Sequence, residues 1–132
     1  MHRPIYHKQM TILIGEDEDY NYLLLHENFK LLFANATLIR AINGEDVVSI
    51  ALSNNNIDLI LMDIRMPIMN GYQATVLIKK SRPKLPIIAQ TAYALGDDRG
   101  RAMLAGCDDY IAKPYEFEEL FDKVHRCIER YN

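Results

Sequence analysis

The sequence contains too few cysteines for a disulfide framework. Cys107 and Cys127 are the only two in 132 residues, and small secreted domains need several to stabilise their fold. This scarcity favours a reducing compartment, so we expect the chain in the cytoplasm. The sequence also has only 6 glycines and 5 prolines, while 49% of its residues are apolar. That composition excludes the collagen-like and disordered classes.

The sequence also lacks a surplus of positive charge and any long apolar run. It has 15 basic and 18 acidic residues, a net charge of −3, without the broad positive field typical of nucleic-acid binding. No apolar run approaches the roughly 18 to 20 residues that cross a bilayer. The run after the basic N-terminus is shorter than the roughly 7 to 15 residues of a signal peptide. We expect neither nucleic-acid nor membrane contact by this chain.

The length fits one domain. Residues 1–10 mix a proline with polar side chains and show no hydrophobic periodicity, so we interpret them as a linker or the remnant of a longer chain. Residues 11–132 form the single domain in this interpretation. They leave no room for a second domain, so we expect any further domain to lie outside this sequence.

Five short apolar runs alternate with longer segments of helical spacing. Because each run is rich in Ile, Leu and Val without polar alternation, it is typical of a strand buried on both faces. The runs are 11–15, 36–41, 58–62, 86–90 and 109–112. The alternation predicts an α/β fold: a doubly wound, five-stranded parallel sheet, flavodoxin-like, with strand order 2-1-3-4-5.

The clearest predicted helices are 19–33, 44–53 and 117–131. In the first, Leu24, Leu25, Phe29 and Leu32 are expected on one buried stripe. In the last, acidic residues at the start and arginines at the end complement the helix dipole. We expect Cys127 to face away from the main stripe of that helix or to lie along its edge.

Acidic residues follow the first and third predicted strands. Glu16 and Asp17 come after the first, and Asp63 comes after the third. In the predicted order these strands are neighbours about 4.8 Å apart, so the three carboxylates converge where ligands bind in such sheets. At a separation of about 4 Å and an effective dielectric constant of about 20, repulsion within each pair of carboxylates costs about 4 kcal/mol. The cluster therefore requires a cation or a shared proton, and Mg²⁺ prefers such oxygen ligands.

Thr91 and Lys113 lie near the ends of the fourth and fifth predicted strands. A hydroxyl and an ammonium group suit the oxygens of a phosphoryl group carried on a carboxylate. Pro114 follows Lys113 directly, and a cis peptide bond at this position is our hypothesis. Each of these residues alone is more often structural, as a cap, a turn residue or a surface lysine. Their joint occurrence at successive strand ends favours a functional site.

Four stretches of the sequence resemble the receiver domain of two-component response regulators. They are Glu16-Asp17 after an apolar strand, LILMDIRMPIMNG at 59–71, IIAQTA at 87–92 and GCDDYIAKP at 106–114. All expected motifs occur in the expected order, and the resemblance spans 11–131. The segment AYALGDDR at 92–99 is especially similar to receivers of hybrid sensor histidine kinases.

The resemblance implies that residues 11–132 are a receiver domain in a two-component phosphorelay. Such a domain takes a phosphoryl group from a phosphohistidine on a histidine kinase or histidine phosphotransfer domain, in a Mg²⁺-dependent reaction, and loses it by slow autodephosphorylation. Phosphorylation would switch the face formed by the fourth helix, fifth strand and fifth helix, which is compatible with a homodimer. No separate small-molecule turnover is implied, and kinase activity would arise only within a larger hybrid kinase.

The resemblance also assigns roles to individual residues. Asp63 would accept the phosphoryl group, Lys113 would contact its oxygens, and Thr91 would move toward them after transfer. Tyr110 would be the aromatic residue whose rotamer follows Thr91. Magnesium, or manganese as an alternative, would be held by four residues: Glu16, Asp17, Asp63 and, through its backbone carbonyl, Arg65.

The sequence departs from the commonest receiver pattern at two positions. Glu16 stands where many receivers have Asp, which leaves metal binding plausible. Gly15 replaces a bulkier apolar residue, so we expect less packing at the end of the first strand. On the first helix, Tyr20 and Leu23 fall on a face away from the buried stripe, and we expect a helical partner to dock on them.

Two other functions remain open from the residues alone. Asp17 and Asp19 supply the Asp-x-Asp of a small Mg²⁺-dependent phosphohydrolase of the haloacid-dehalogenase type. That family has Thr or Val two residues later, where Asn21 stands here, and the chain has no room for a cap. A flavodoxin-type binder would need a Ser/Thr/Gly-rich phosphate loop after the first strand, which this sequence lacks.

Overall fold

A computed structural model of the chain describes residues 5–92 and 98–130. Its elements, in chain order, are β1 (Met10–Gly15), α1 (Asp19–Leu32), β2 (Ala36–Ala41), α2 (Gly44–Ser53), β3 (Leu59–Asp63), α3 (Gly71–Ser81), β4 (Ile87–Thr91), α4 (Asp98–Ala105), β5 (Asp109–Ala112) and α5 (Phe117–Arg130). Most of the segment AYALGDDR and the predicted end of the last helix, Tyr131, lie outside the described residues. No helix in the described ranges has the length and apolarity needed to span a bilayer.

The five strands form one parallel sheet in the order β2-β1-β3-β4-β5. This confirms the predicted doubly wound fold. The central strand β3 is buried at every position. Its Leu59 and Leu61 pack with α1 and α5, whereas Ile60 and Met62 pack with α2, α3 and α4. Because helices cover both faces, the strand has no polar alternation.

The N-terminal segment packs on the α1 and α5 side of the sheet. β1 begins at Met10, one residue earlier than predicted. Tyr6 forms a parallel bridge with Phe33, and its ring lies edge-on to that of Phe33 with centroids 5.6 Å apart. The ring of Phe33 also meets Phe121 of α5 edge-on. Aromatic packing therefore joins the N-terminal segment to the core.

One prediction of side-chain burial is wrong, and another is decided between its two alternatives. Leu24 is 44% exposed, because it lies about 100° around α1 from Leu25, which begins the buried stripe. Of the two alternatives for Cys127, the edge of the stripe is confirmed: it is 4% exposed and packs with Val124 and Ile128 of α5. Its position three residues after Val124 places it beside the stripe and within the core.

The expected loss of packing at Gly15 is also wrong. A Cβ atom there would lie 2.9 Å from Cγ2 of Val47, and 3.2 and 3.3 Å from side-chain atoms of Met62 and Met66. These side chains already fill the space beside Gly15, so the end of β1 is closely packed.

Candidate functional site

The carboxyl ends of β1 and β3 bring three carboxylates together. Glu16 and Asp17 follow the last residue of β1, and Asp63 is the last residue of β3. One oxygen from each of these side chains lies within 4.8 Å of the others. The structure therefore brings together the cluster that the sequence predicts.

Burial sets the electrostatics of this cluster. Glu16 is 1% exposed, and its burial raises the pKa of its carboxyl group. The Glu18 N–H, 3.1 Å from Oε2, and the nearby Lys113 oppose that shift, whereas Asp63 and Asp17 add to it. Oε1 of Glu16 has no hydrogen-bond partner among the described residues. A buried carboxylate oxygen without a hydrogen bond, beside two other carboxylates, fits a hard divalent cation.

Lys113 bridges the cluster from the end of β5. Its Nζ donates a hydrogen bond to Oδ2 of Asp63 at 3.1 Å and lies 3.6 Å from Oε1 of Glu16. Burial lowers the pKa of Lys113, but the two carboxylates outweigh burial and the net pKa is raised. The lysine therefore remains charged. Its peptide bond to Pro114 is cis, as hypothesised.

The loop after β3 folds back onto Asp63. The backbone N–H of Arg65 donates to Oδ1 of Asp63 at 3.0 Å, while the Arg65 side chain is exposed. The N–H of Gly71 donates to the carbonyl oxygen of Ile64 at 2.8 Å. A Cβ on Gly71 would lie 2.9 Å from the Asp63 carbonyl oxygen, so this return of the chain requires glycine.

Thr91 and Tyr110 lie on the α4 side of the sheet. Thr91, the last residue of β4, is 2% exposed, and its hydroxyl lies 3.5 Å from Oδ2 of Asp98 at the start of α4. Tyr110 pairs with Ala89 in the β4–β5 register and packs on the same face of the sheet. Burial raises the pKa of Tyr110, and Asp98 adds to this. The Thr91 hydroxyl thus faces Asp98, and Tyr110 lies on the same side of the sheet.

A cleft of about 290 Å³ opens beside the cluster, between α1 and the β5–α5 loop, with Leu24, Lys113 and Tyr115 in its wall. The hydroxyl of Tyr115 donates to Oε1 of Gln90. The sequence predictions missed both Tyr115 and Gln90. The available signal was Gln90 itself, a polar residue inside an apolar strand.

The structure does not favour the phosphohydrolase alternative. Asp19 is the first residue of α1, and its carboxylate accepts a hydrogen bond from Arg40 at 2.7 Å. Its side chain is 95% exposed. Asp17 joins the acidic cluster and Asp19 does not, so the Asp-x-Asp pair does not act together.

The chain is similar in sequence to known proteins. Residues 12–125 match the family model of the response regulator receiver domain. Hybrid signal transduction histidine kinase G of Dictyostelium discoideum is 37% identical over 122 residues, which are 90% of this chain and 4% of that protein. The heme response regulator HssR of Staphylococcus haemolyticus is 33% identical over 115 residues, 87% of this chain and 50% of that protein. The chain thus spans half or less of these relatives.

A solved structure also matches the chain. The receiver domain of sensor histidine kinase PA1611 from Pseudomonas aeruginosa PAO1, with a magnesium ion coordinated in its active site cleft, is similar with a TM-score of 0.83 and 33% identity. The match covers 92% of this chain and 99% of that one.

Proposed function

This chain belongs to the response regulator receiver domain family of two-component signalling, and we propose that it is a phosphoacceptor whose acceptor residue is Asp63. The observation that carries the proposal is the pair of hydrogen bonds on its carboxylate. Lys113 donates to Oδ2 and the Arg65 N–H donates to Oδ1. A carboxylate oriented in this way at the sheet edge is placed to attack phosphorus.

The donor in this proposal is a phosphohistidine on a histidine kinase or a histidine phosphotransfer domain. A carboxylate oxygen of Asp63 attacks phosphorus, so that a P–O bond forms as the P–N bond breaks. The electron pair of the broken bond returns to the imidazole, which takes a proton from water. Lys113 pairs with the phosphoryl oxygens during the transfer, and this positioning and charge neutralisation supply the catalysis. Water later hydrolyses the acyl phosphate.

Mg²⁺ is the proposed cofactor, with Mn²⁺ as an alternative that takes similar oxygen ligands. Glu16, Asp17, Asp63 and the backbone carbonyl of Arg65 would hold it. Oε1 of Glu16 supports this assignment, because it is buried and has an ion pair with Lys113 but no hydrogen bond among the described residues. When bound, the ion supplies positive charge that neutralises the carboxylates and the incoming phosphoryl group.

We propose that transfer switches the α4–β5–α5 face. Thr91 turns from Asp98 toward the phosphoryl group, and Tyr110 changes rotamer into the space beside it. The same face exposes Met103 by 48% and Leu104 by 88%. Such apolar side chains are suited to an interface whose shape changes with phosphorylation, including a homodimer.

The proposed docking surface for the phosphohistidine partner is Tyr20 and Leu23 on α1. Their side chains are 73% and 57% exposed near the start of α1, which begins two residues after Asp17, so a partner helix seated on them would reach Asp63. In this proposal residues 11–132 are the signalling unit. Residues 1–10 would connect it to a longer chain such as a hybrid kinase, although Tyr6 and Met10 already pack on the unit. Its buried free thiols suit the cytoplasm.

The test is phosphorylation by acetyl phosphate in the presence of Mg²⁺. Wild type and the matched control D19N gain an acid-resistant, base-labile phosphoryl group, and D63N does not. Equal labelling of D63N would overturn the assignment of Asp63. Repeated turnover of a small phosphate ester by D63N would instead establish a phosphohydrolase.

A further inference from the structure

Gln90 is a polar residue inside an otherwise buried apolar strand. All five residues of β4 are buried, and Gln90 is 0% exposed. It is the register partner of Asp63 on β3, and its backbone oxygen accepts the Ile64 N–H at 2.9 Å. Burying a primary amide costs free energy unless it is hydrogen-bonded, so the partner of its side chain matters.

That partner is the hydroxyl of Tyr115. The phenol donates to Oε1 of Gln90 at 2.5 Å, whereas Nε2 has no hydrogen-bond partner in the described part of the chain. Burial raises the pKa of Tyr115, with Glu16 and Asp63 adding to the shift. The phenol therefore stays protonated and remains a donor at neutral pH.

This hydrogen bond attaches the β5–α5 loop to β4 beyond Lys113. At the lysine itself, the Lys113 backbone N–H donates to the carbonyl oxygen of Thr91 at 2.7 Å. Lys113 is thus held between a main-chain bond to Thr91 and the side-chain bond of Tyr115 to Gln90. Both attachment points are on β4, which lies directly beside the strand that carries Asp63.

We propose that Gln90 and Tyr115 act as a positioning pair that holds the Lys113 ammonium against Asp63. Neither residue touches the reacting atoms in this proposal, because each acts through the loop that carries Lys113. The inference rests on the proposed function of Asp63 as phosphoacceptor. Since a displacement of about 1 Å can slow a reaction by about 100-fold, loss of the pair is expected to slow phosphorylation at least tenfold.

Three variants test the pair: Y115F, Q90L and the double variant Y115F/Q90L. Each single variant leaves a buried polar group without its partner, so its free energy of unfolding falls. The double variant replaces both partners by apolar side chains and recovers stability. Positioning predicts that all three remain at least tenfold slower than wild type with acetyl phosphate. The Mg²⁺ concentration for half-maximal rate stays the same, because neither residue is a proposed ligand.

The matched control is Y22F, which removes another partly buried phenol outside the loop and keeps the wild-type rate. A double variant that regains the wild-type rate together with its stability would show that the pair only packs, and would overturn the inference. Single variants with the wild-type rate, or losses that multiply in the double variant, would do the same. A wild-type chain that takes no phosphoryl group would overturn the proposed function, and this inference with it.

Discussion

Lys113 donates a hydrogen bond to Asp63 across 50 positions of sequence, with Nζ 3.1 Å from Oδ2. The contact joins the ends of β5 and β3, which are separated in the sheet by β4. Burial would favour a neutral lysine, but Asp63 and Glu16 raise its pKa. The site therefore keeps one fixed positive charge against three acidic side chains.

Replacing that charge is expected to slow phosphorylation of Asp63 by acetyl phosphate by about 100-fold in K113M, the scale seen when one donor to a developing charge is removed. The measurement is the rate constant of labelling at saturating Mg²⁺. K123M is the matched control, because Lys123 of α5 forms an ion pair with Asp109 of β5, with Nζ 3.2 Å from Oδ1. This pair lies outside the acidic cluster. Equal rates for K113M and wild type would remove Lys113 from the mechanism.

Glu16 is expected to control Mg²⁺ affinity. E16Q removes a charged ligand, so we expect titration calorimetry to give a dissociation constant for Mg²⁺ at least tenfold larger than that of wild type. E45Q on α2 is the control and is expected to bind Mg²⁺ as wild type does. In wild type, affinity is expected to fall as pH is lowered from 7, since the raised pKa of Glu16 lets protons compete with the metal. Unchanged affinity in E16Q would contradict the proposed ligand set.

Gly44 is expected to be essential for the shape of the loop after β3. A Cβ at Gly44 would overlap the backbone carbonyl of Met69, so G44A must move that loop or the start of α2. We expect a loss of about 1 to 3 kcal/mol in the free energy of unfolding, measured by urea denaturation. S49A, at an exposed position of the same helix, is the control. A stable G44A would show that the loop is free to shift.

The sequence predictions succeeded where a regular pattern indicates the structure. The apolar runs that became β1 and β3 are continuous because both faces of the sheet are covered. The strand order of the predicted fold then makes β1 and β3 neighbours, which brings Glu16 and Asp63 together. Leu24 was placed wrongly, because spacing alone does not say where a buried stripe ends on a helix. The Gln90–Tyr115 contact joins residues 25 positions apart. It depends on the conformations of both side chains, which the periodicity of a sequence does not indicate.

Alkaline pH is expected to destabilise the fold through Cys127. Burial raises the pKa of this thiol from 9.0 to about 11, so its contribution to stability is complete below pH 9 and is lost as pH rises through 11. Between pH 8 and pH 10, we expect wild type to lose about 1 kcal/mol more than C127V in urea denaturation. Parallel pH profiles for the two proteins would contradict a titrating buried thiol.

Replacing Leu23 is expected to weaken docking of the partner kinase and to leave the chemistry at Asp63 unchanged. With a histidine kinase that phosphorylates the wild-type chain, L23A is expected to slow phosphotransfer by about tenfold, the effect of losing one apolar anchor of about 1.4 kcal/mol. L31A is the matched control, since Leu31 is 74% exposed on the same helix, two turns farther from the acidic cluster. Acetyl phosphate needs no protein surface, so both variants should label from it at the wild-type rate. Equal slowing by L23A and L31A would place the docking surface elsewhere, and slowing with acetyl phosphate would mean that Leu23 acts on the site itself.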